Sequence, residues 1–332
     1  MNKKAIVLFS GGLDSILATK LMLEQGVEVL AMNFFIEFAV CGGKGLEGAA
    51  EKAAKQLKIP LEVVDITAEY LDVFKSPRYG YGANVNPCID CKIFMLKKAR
   101  ERMTEAGASF LVTGEVLGER PMSQRKDALN IIEKQAGVKG ILLRPLTAKL
   151  LEPTIPEKEG VIDREKLLDI SGRSRKPQMA LAEQFGIKEY PNPAGGCLLT
   201  DPGFARRVKD LMKHDELTIE NLILLATGRH FRLSDNAKLA VGRDEDENET
   251  LQSLAKPGDI IFKMRDHQGP LSVLRGAADP ALIELAASVV AYHTKFRNEN
   301  ALRVDYWPSG ATDRTTVSVK PTAATEVEKL RL

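Results

Sequence analysis

Residues Lys3–Gly26 read KKAIVLFSGGLDSILATKLMLEQG. The apolar run Ala5–Phe9 predicts a buried strand. It stops at Ser10-Gly11-Gly12-Leu13-Asp14-Ser15, and helical spacing follows at Ile16, Leu17, Leu21 and Leu23 before a stop at Gly26. A strand, a Gly-rich turn and a helix N-terminus make an anion cradle, because backbone N–H groups and the helix dipole face the same point. Two glycines alone would serve a tight turn equally well. Ser10, Asp14 and Ser15 add two hydroxyls and a carboxylate at that mouth, which favours phosphate.

Outward from this stretch, Val27–Phe35, Leu61–Ile66, Phe110–Thr113 and Ile141–Arg144 read as strands, with a helix expected over Glu47–Leu57. Such alternation predicts an α/β fold, a doubly wound parallel sheet whose ligand lies beyond the carboxyl ends of the strands. Cys41 falls on the loop after the second strand, either as a small buried thiol or with a chemical role. Tyr70–Asn86 reads as a loop, and Leu151–Asp163 as a linker or insertion. Helices are expected over Asp163–Ile170 and Gln178–Phe185. Between them, Gly172–Lys176 is a basic loop, either solvated or touching nucleic-acid phosphates. Tyr190–Thr200 is a Pro/Gly-rich loop presenting Cys197, and Phe204–Leu225 is mostly helical. Strand patterns at Leu239–Gly242, Ile260–Met264, Leu271–Leu274 and Thr315–Lys320, with a helix over Pro280–His293, predict a C-terminal α+β domain. The expected division is 1–150, a helical middle segment 151–227 carrying the third cysteine of interest, and 228–332.

The chain has 332 residues, 44% hydrophobic and 28% charged, so an ordinary globular core can form. A net charge of +2 argues neither for nor against a nucleic-acid partner. No run of 18 apolar residues occurs, so no membrane span is expected. Four cysteines in a chain this long do not make a disulfide scaffold. In a reducing cytoplasm, the expected location, close cysteines serve metals or catalysis. Cys88-Ile89-Asp90-Cys91 opens a helical pattern, where the helix N-terminus is expected to favour thiolate.

SGGLDS at the end of a first strand resembles the signature of the PP-loop ATP pyrophosphatases. The resemblance implies ATP split between its α- and β-phosphates and a substrate adenylated. Ser10, Gly11, Gly12, Leu13, Asp14, Ser15 and Gly114 would hold the nucleotide, with Asp14 acting partly through Mg²⁺. Met32 would contact adenine or serve as core. NPCIDCK (residues 86–92), TGEVLGERPMSQ (113–124) and Arg144-Pro145-Leu146 resemble segments of the tRNA thiolation enzymes, the 4-thiouridine and 2-thiouridine synthases. Gly114, Ser123 and Gln124 match the TGE-LGQ-ASQ pattern of the former, whereas Glu119, Arg120 and Pro121 depart from it. No THUMP-type domain precedes SGGLDS, so an ordinary 4-thiouridine synthase is not expected.

By the same resemblance, Cys88, Cys91 and Cys197 would hold a 4Fe–4S cluster with one open iron. Alternatively they would carry and resolve a persulfide, or bind zinc. Residues 238–276, with Ala286–Arg297 and Val304-Asp305-Tyr306, resemble the RNA-binding domain of the NFACT family. There Arg243, Asn248, Lys263, Arg265, His267, Lys295 and Arg297 would contact RNA or serve as solvated charges. The expected function is an ATP-dependent tRNA sulfurtransferase with Asp14, Cys88, Cys91 and Cys197 catalytic, tRNA as partner and a sulfide or persulfide carrier as donor. An ATP pyrophosphatase acting on a small molecule, and an RNA-binding protein with a relict nucleotide site, are the alternatives.

Overall fold

The computed structural model describes residues 1–39, 47–191, 197–214 and 217–332. Cys41 lies outside the described residues. The chain forms two compact units, 1–200 and 201–332, so the segment 151–227 contributes to both.

The first unit runs β1 (Lys4–Leu8), α1 (Leu13–Glu24), β2 (Glu28–Phe35), α2 (Glu47–Leu57), β3 (Leu61–Asp65), α3 (Thr67–Lys75), α4 (Cys88–Ala106), β4 (Phe110–Thr113), α5 (Lys126–Ala136), β5 (Leu142–Leu143), α6 (Ile155–Lys158) and α7 (Lys176–Gln184). Its strands form one parallel sheet ordered β3-β2-β1-β4-β5. The apolar run of β1 is continuous because both faces are covered. Ala5, Val7 and Phe9 enter the core containing Ile16, Leu17 and Ala50, while Ile6 enters the one containing Ile93, Leu96 and Ile132. The chain leaves β1 toward β2 and β3, then returns to build β4 and β5 on the other side. The switch between β1 and β4 opens the crevice where such sheets bind ligands.

Two expectations fail locally. The start of the expected loop, residues 70–75, belongs to α3: Tyr70 and Phe74, one turn apart, are both buried. The expected helix over 163–170 is only a 3₁₀ turn at Arg164–Lys166, capped by the Asp163 carboxylate. Beyond it the chain is pulled straight, because Leu168 and Ile170 donate their N–H groups to the carbonyls of Pro145 and Leu146 (2.9 Å each). Tertiary pairing there overrides helix propensity.

The second unit runs α8 (Pro202–His214), α9 (Ile219–Ala226), β6 (Arg229–Ser234), β7 (Ala237–Val241), α10 (Glu245–Leu254), β8 (Ile260–Met264), β9 (Ser272–Gly276), α11 (Pro280–Tyr292), β10 (Leu302–Pro308), β11 (Thr315–Val319) and α12 (Ala324–Leu330). Its antiparallel sheet is ordered β11-β10-β8-β9-β7-β6. One face packs Phe231, Leu239 and Phe262 against Ala286, Val289 and Val290 of α11. The other packs Ile261, Val273 and Trp307 against Leu251 of α10. Among the described residues no helix is long and apolar enough to cross a membrane.

Candidate functional site

The phosphate loop sits where β1 ends. Gly12 is the N-cap of α1 with extended backbone (φ −77°, ψ 159°), and no side chain caps the helix. The orphan N–H groups of the first turn are thus set for an incoming acceptor. Leu13 buries its side chain in the core, leaving only its backbone for a ligand. The Ser15 hydroxyl donates to the Gly12 carbonyl (2.8 Å), and the Gly12 N–H donates to Ser10 Oγ (3.3 Å). Gly11 adopts φ +72°, and a Cβ there would lie 2.5 Å from the backbone of Ala50 in α2. Met32 lies within β2, three residues before its end rather than at it, and buries its side chain with Ile6, Ile93 and Leu96.

Gly114 continues β4 against α1. A Cβ there would meet the Asp14 backbone at 2.5 Å, and that backbone belongs to a helix that cannot move alone. Gly114→Ala is expected to cost about 1–3 kcal/mol by overpacking. The loss should read as a fall of several degrees in melting temperature together with weaker nucleotide binding, since the displaced turn is the cradle.

The next residue ties three distant motifs together. The Glu115 carboxylate accepts from Arg144 Nε (2.9 Å) and Thr113 Oγ1 (3.0 Å), with Lys92 Nζ 3.9 Å away. Arg144 also pairs with Glu133 of α5. Glu115 and Arg144 are each 2% exposed. Burial alone would raise the Glu115 carboxyl, but Arg144, then Lys92, outweigh it and hold the carboxyl below its ordinary range. The TGE, CIDCK and RPL segments therefore meet at one buried ion cluster.

The same loop reaches the cysteines at its far end. The Cys88 thiol lies 3.0 Å from the buried Ser123 hydroxyl. Cys88 and Cys91 share the first turn of α4, and Asp90 between them accepts from the N–H groups of Arg78 and Tyr79 (3.0 Å each), fixing the preceding loop. That loop in turn docks the segment after Cys197: Asn84 Nδ2 donates to the Thr200 carbonyl (2.6 Å) and the Val85 N–H to that of Leu199 (3.2 Å). Asn84 takes φ +61° to do so, a conformation asparagine tolerates. The segment just after Cys197 is thus docked on the loop that leads into α4. All three cysteines lie near enough to act electrostatically on the buried Tyr70 hydroxyl, which has no hydrogen-bond partner among the described residues. Burial is the first cause that raises the Tyr70 phenol, and it also pushes the Cys91 thiol up to about 11. This reverses the expectation of a thiolate at the helix start for Cys91. Desolvation exceeds the dipole there, and Cys91 is neutral at pH 7.

Three sulfur donors suit a sulfur-ligated iron cluster by type. Among the described residues, however, no Cys, His, Asp or Glu group forms a ready-made metal site. The three cysteines are free thiols, with Cys197 exposed and the others half-buried.

Arg175, in the expected basic loop, is neither solvated nor left for nucleic acid: its Nη1 lies 2.5 Å from Asp14 Oδ2 and 2.6 Å from Glu119 Oε1. Sequence reading took Arg175 only as part of a basic loop and Glu119 only as a departure from the family pattern, and it gave Tyr70 no site role.

In the second unit, Asn248 is consumed structurally, its Oδ1 accepting the Leu271 N–H (2.9 Å), and Arg243 chelates Glu247. Arg265 lies 3.3 Å from Asp305. His267 stacks on Phe296 with centroids 3.9 Å apart, and Lys263, Lys295 and Arg297 are exposed. A further cationic cluster forms around β6. Burial and then Arg243 lower the guanidinium pKa of both Arg207 and Arg229, with Arg331 also acting on Arg229. No sequence spacing could show it, because its members span residues 207–331.

A parallel sheet ordered 3-2-1-4-5 with SGGLDS at the end of its central strand defines a PP-loop nucleotide-binding protein. More particularly, residues 1–155 match the family described as thiamine biosynthesis protein (ThiI), and residues 228–331 match the NFACT protein RNA binding domain. The chain joins a PP-loop domain of the tRNA thiolation group to an NFACT-type RNA-binding domain. Among curated relatives, the tRNA-specific 2-thiouridylase MnmA of Syntrophotalea carbinolica is 36% identical over 121 residues, 34% of this chain and 34% of that protein. That of Lachnoclostridium phytofermentans is 30% identical over 225 residues, 63% of this chain and 59% of the relative. A probable tRNA sulfurtransferase of Thermococcus kodakarensis is 27% identical over 173 residues, 51% and 40% of the two chains. The chain thus spans only about a third to three-fifths of the length of these relatives.

Proposed function

We propose that the protein is an ATP-dependent sulfurtransferase acting on a uridine of tRNA. One observation carries the reading: a single loop, residues 114–124, rests on the phosphate cradle at Gly114 and on the cysteine cluster at Ser123. An activating group and sulfur nucleophiles are thereby held on one short segment. The comparisons support the substrate class, since the named relatives act on tRNA and the C-terminal domain is of an RNA-binding type.

In the proposed reaction the uridine carbonyl oxygen attacks the α-phosphorus of ATP, releasing pyrophosphate. The base then carries AMP in place of a poor oxide leaving group. A sulfur nucleophile adds to the activated carbon and expels AMP. If that sulfur is the outer atom of a persulfide, the base is left joined to the carrier cysteine through a disulfide. A second cysteine thiol attacks the carrier's sulfur, releasing the thiocarbonyl and leaving a Cys–Cys disulfide for an external thiol to reduce. Cys88, Cys91 and Cys197 would be the thiolates holding a 4Fe–4S cluster, which when bound would supply sulfide at its open iron. The donor protein or small sulfide source lies outside the chain.

The test is incubation of anaerobically purified protein with unmodified tRNA, ATP, Mg²⁺ and sulfide, followed by nucleoside mass spectrometry. The expected result is a thiouridine with one AMP and one pyrophosphate per sulfur. AMP formation driven by a small molecule, with no thiolated RNA, would favour the small-molecule reading. RNA binding without ATP binding would favour the relict site.

A further inference from the structure

The proposed reaction makes no use of the Tyr70 hydroxyl, a buried polar group beside the cysteines. Tyr70 sits one turn into α3 and is fully buried. Its ring stacks on Phe38, with centroids 6.1 Å apart, and meets the Phe94 ring edge-on at 6.2 Å. Phe94 follows Cys91 by three residues in α4, so the two share a face of that helix. The Tyr70 ring is thereby packed against the face of α4 that carries Cys91. Of the three cysteines that act on the hydroxyl, Cys91 acts most strongly.

That hydroxyl has no hydrogen-bond partner among the described residues. A buried O–H without a partner is costly, and a site that needed only the ring would be served by phenylalanine. Tyr81, in the loop after α3, shows the usual arrangement: its hydroxyl donates to the Phe74 carbonyl (2.6 Å). The chemistry of sulfur says what acceptor Tyr70 is set for. A neutral thiol accepts weakly, whereas a thiolate draws a charge-assisted hydrogen bond. Donors close to Cys91 are otherwise engaged. Its own N–H donates to the Pro87 carbonyl (2.9 Å), that of Cys88 to the Asn86 carbonyl (3.0 Å), and Lys92 Nζ stands 3.9 Å from Glu115. Cys88 already meets a hydroxyl, that of Ser123 at 3.0 Å. Tyr70 offers Cys91 the corresponding one.

We propose that Tyr70 is a positioning residue of the sulfur site, its hydroxyl donating a hydrogen bond to the Cys91 sulfur whenever that sulfur is a thiolate. The proposal rests on the reading of Cys88, Cys91 and Cys197 as the sulfur-handling group. While Cys91 is a neutral thiol the O–H goes unsatisfied. When the sulfur ligates or attacks, the bond forms, directs the sulfur and offsets its burial. Outer partners of this kind are worth about 10–100-fold in the affinity of a ligated metal.

The test uses Cd²⁺, which cysteines bind as thiolates, read anaerobically by the sulfur-to-cadmium absorbance in the ultraviolet. Tyr70→Phe keeps the ring and removes only the oxygen. The metal-free variant is expected to melt at the wild-type temperature or above it, since an unpartnered hydroxyl is lost. The same variant should bind Cd²⁺ about tenfold or more weakly than wild type. Tyr81→Phe should do the reverse, melting lower through loss of a satisfied hydrogen bond and keeping its Cd²⁺ affinity. Unchanged Cd²⁺ affinity in Tyr70→Phe overturns the proposal. So does a metal-free Tyr70→Phe that melts well below wild type, since the hydroxyl would then serve the fold. If wild-type protein binds Cd²⁺ no better than a variant carrying both Cys88→Ser and Cys91→Ser, the sulfur-handling reading itself falls and this proposal with it.

Discussion

Cys197→Ala is expected to abolish RNA thiolation, by on the order of 10³-fold or more, while leaving RNA-stimulated release of pyrophosphate from ATP intact. The two halves of the reaction separate because they use different residues. In the proposed reaction activation would use the cradle of Ser10–Ser15, and sulfur delivery would use the thiols. Among the three cysteines, Cys197 is the exposed one, and Cys91 is kept neutral by burial. In the proposed reaction an incoming sulfur donor would therefore meet Cys197 first, and Cys91 would serve a later step or a metal. A second readout decides between carriers. Iron-bearing protein absorbs near about 400 nm, and that band should vanish in alanine variants of Cys88, Cys91 or Cys197 alike. Iron-free protein charged by a sulfur donor should instead gain one sulfur in intact mass, lost only in the variant of the carrier. Normal thiolation by Cys197→Ala would falsify the assignment of Cys197 to sulfur delivery.

Local signals made much of this legible. The runs that form β1, β4 and β8, and the spacing that forms α2, are contiguous and strongly periodic, so their limits could be read almost to the residue. SGGLDS is equally local: its glycines, hydroxyls and carboxylate lie within six positions. What could not be read is what depends on chain return. The segment just after Cys197 docks on the loop that leads into α4 only because Asn84 and Val85 bond its carbonyls. Arg175 looks like one more solvated charge until α7 packs its N-terminus beside Asp14. The stretch 163–170 has helical periodicity, yet the Pro145 and Leu146 carbonyls hold it extended. Tyr70 carries a phenol in a helix that looked like loop, and only the fold sets it near the cysteines.

Glu115→Ala should be the most destabilising substitution in the first unit. It removes the carboxylate between Arg144 and Lys92 and leaves Arg144 buried, with one guanidinium nitrogen already lacking a partner and only Glu133 opposing the charge. Breaking a buried pair from one side costs about 3–5 kcal/mol, a large part of the roughly 5–15 kcal/mol that holds a domain together. Glu115→Gln keeps the shape and isolates the charge, so it also tests the pH dependence. The folded Glu115 carboxyl lies below its ordinary range. Near the ordinary carboxylate pKa the unfolded chain therefore takes up a proton that the folded chain refuses, and stability must fall as pH falls. This contribution is complete above the ordinary pKa and is lost progressively toward the folded one. Urea titrations of the first unit's transition between neutral and acid pH should show a steep loss for wild type and a flatter one for Glu115→Gln, starting from a lower value. Parallel curves would mean that another carboxylate carries the acid sensitivity. The cluster also has a functional side. Lys92 follows Cys91 in α4, so loosening Glu115 loosens the turn that sets Cys88 and Cys91 before Cys197. A Glu115→Gln variant that still folds should then bind ATP normally and thiolate more slowly, which ties the stability of the buried ions to the placement of the sulfurs.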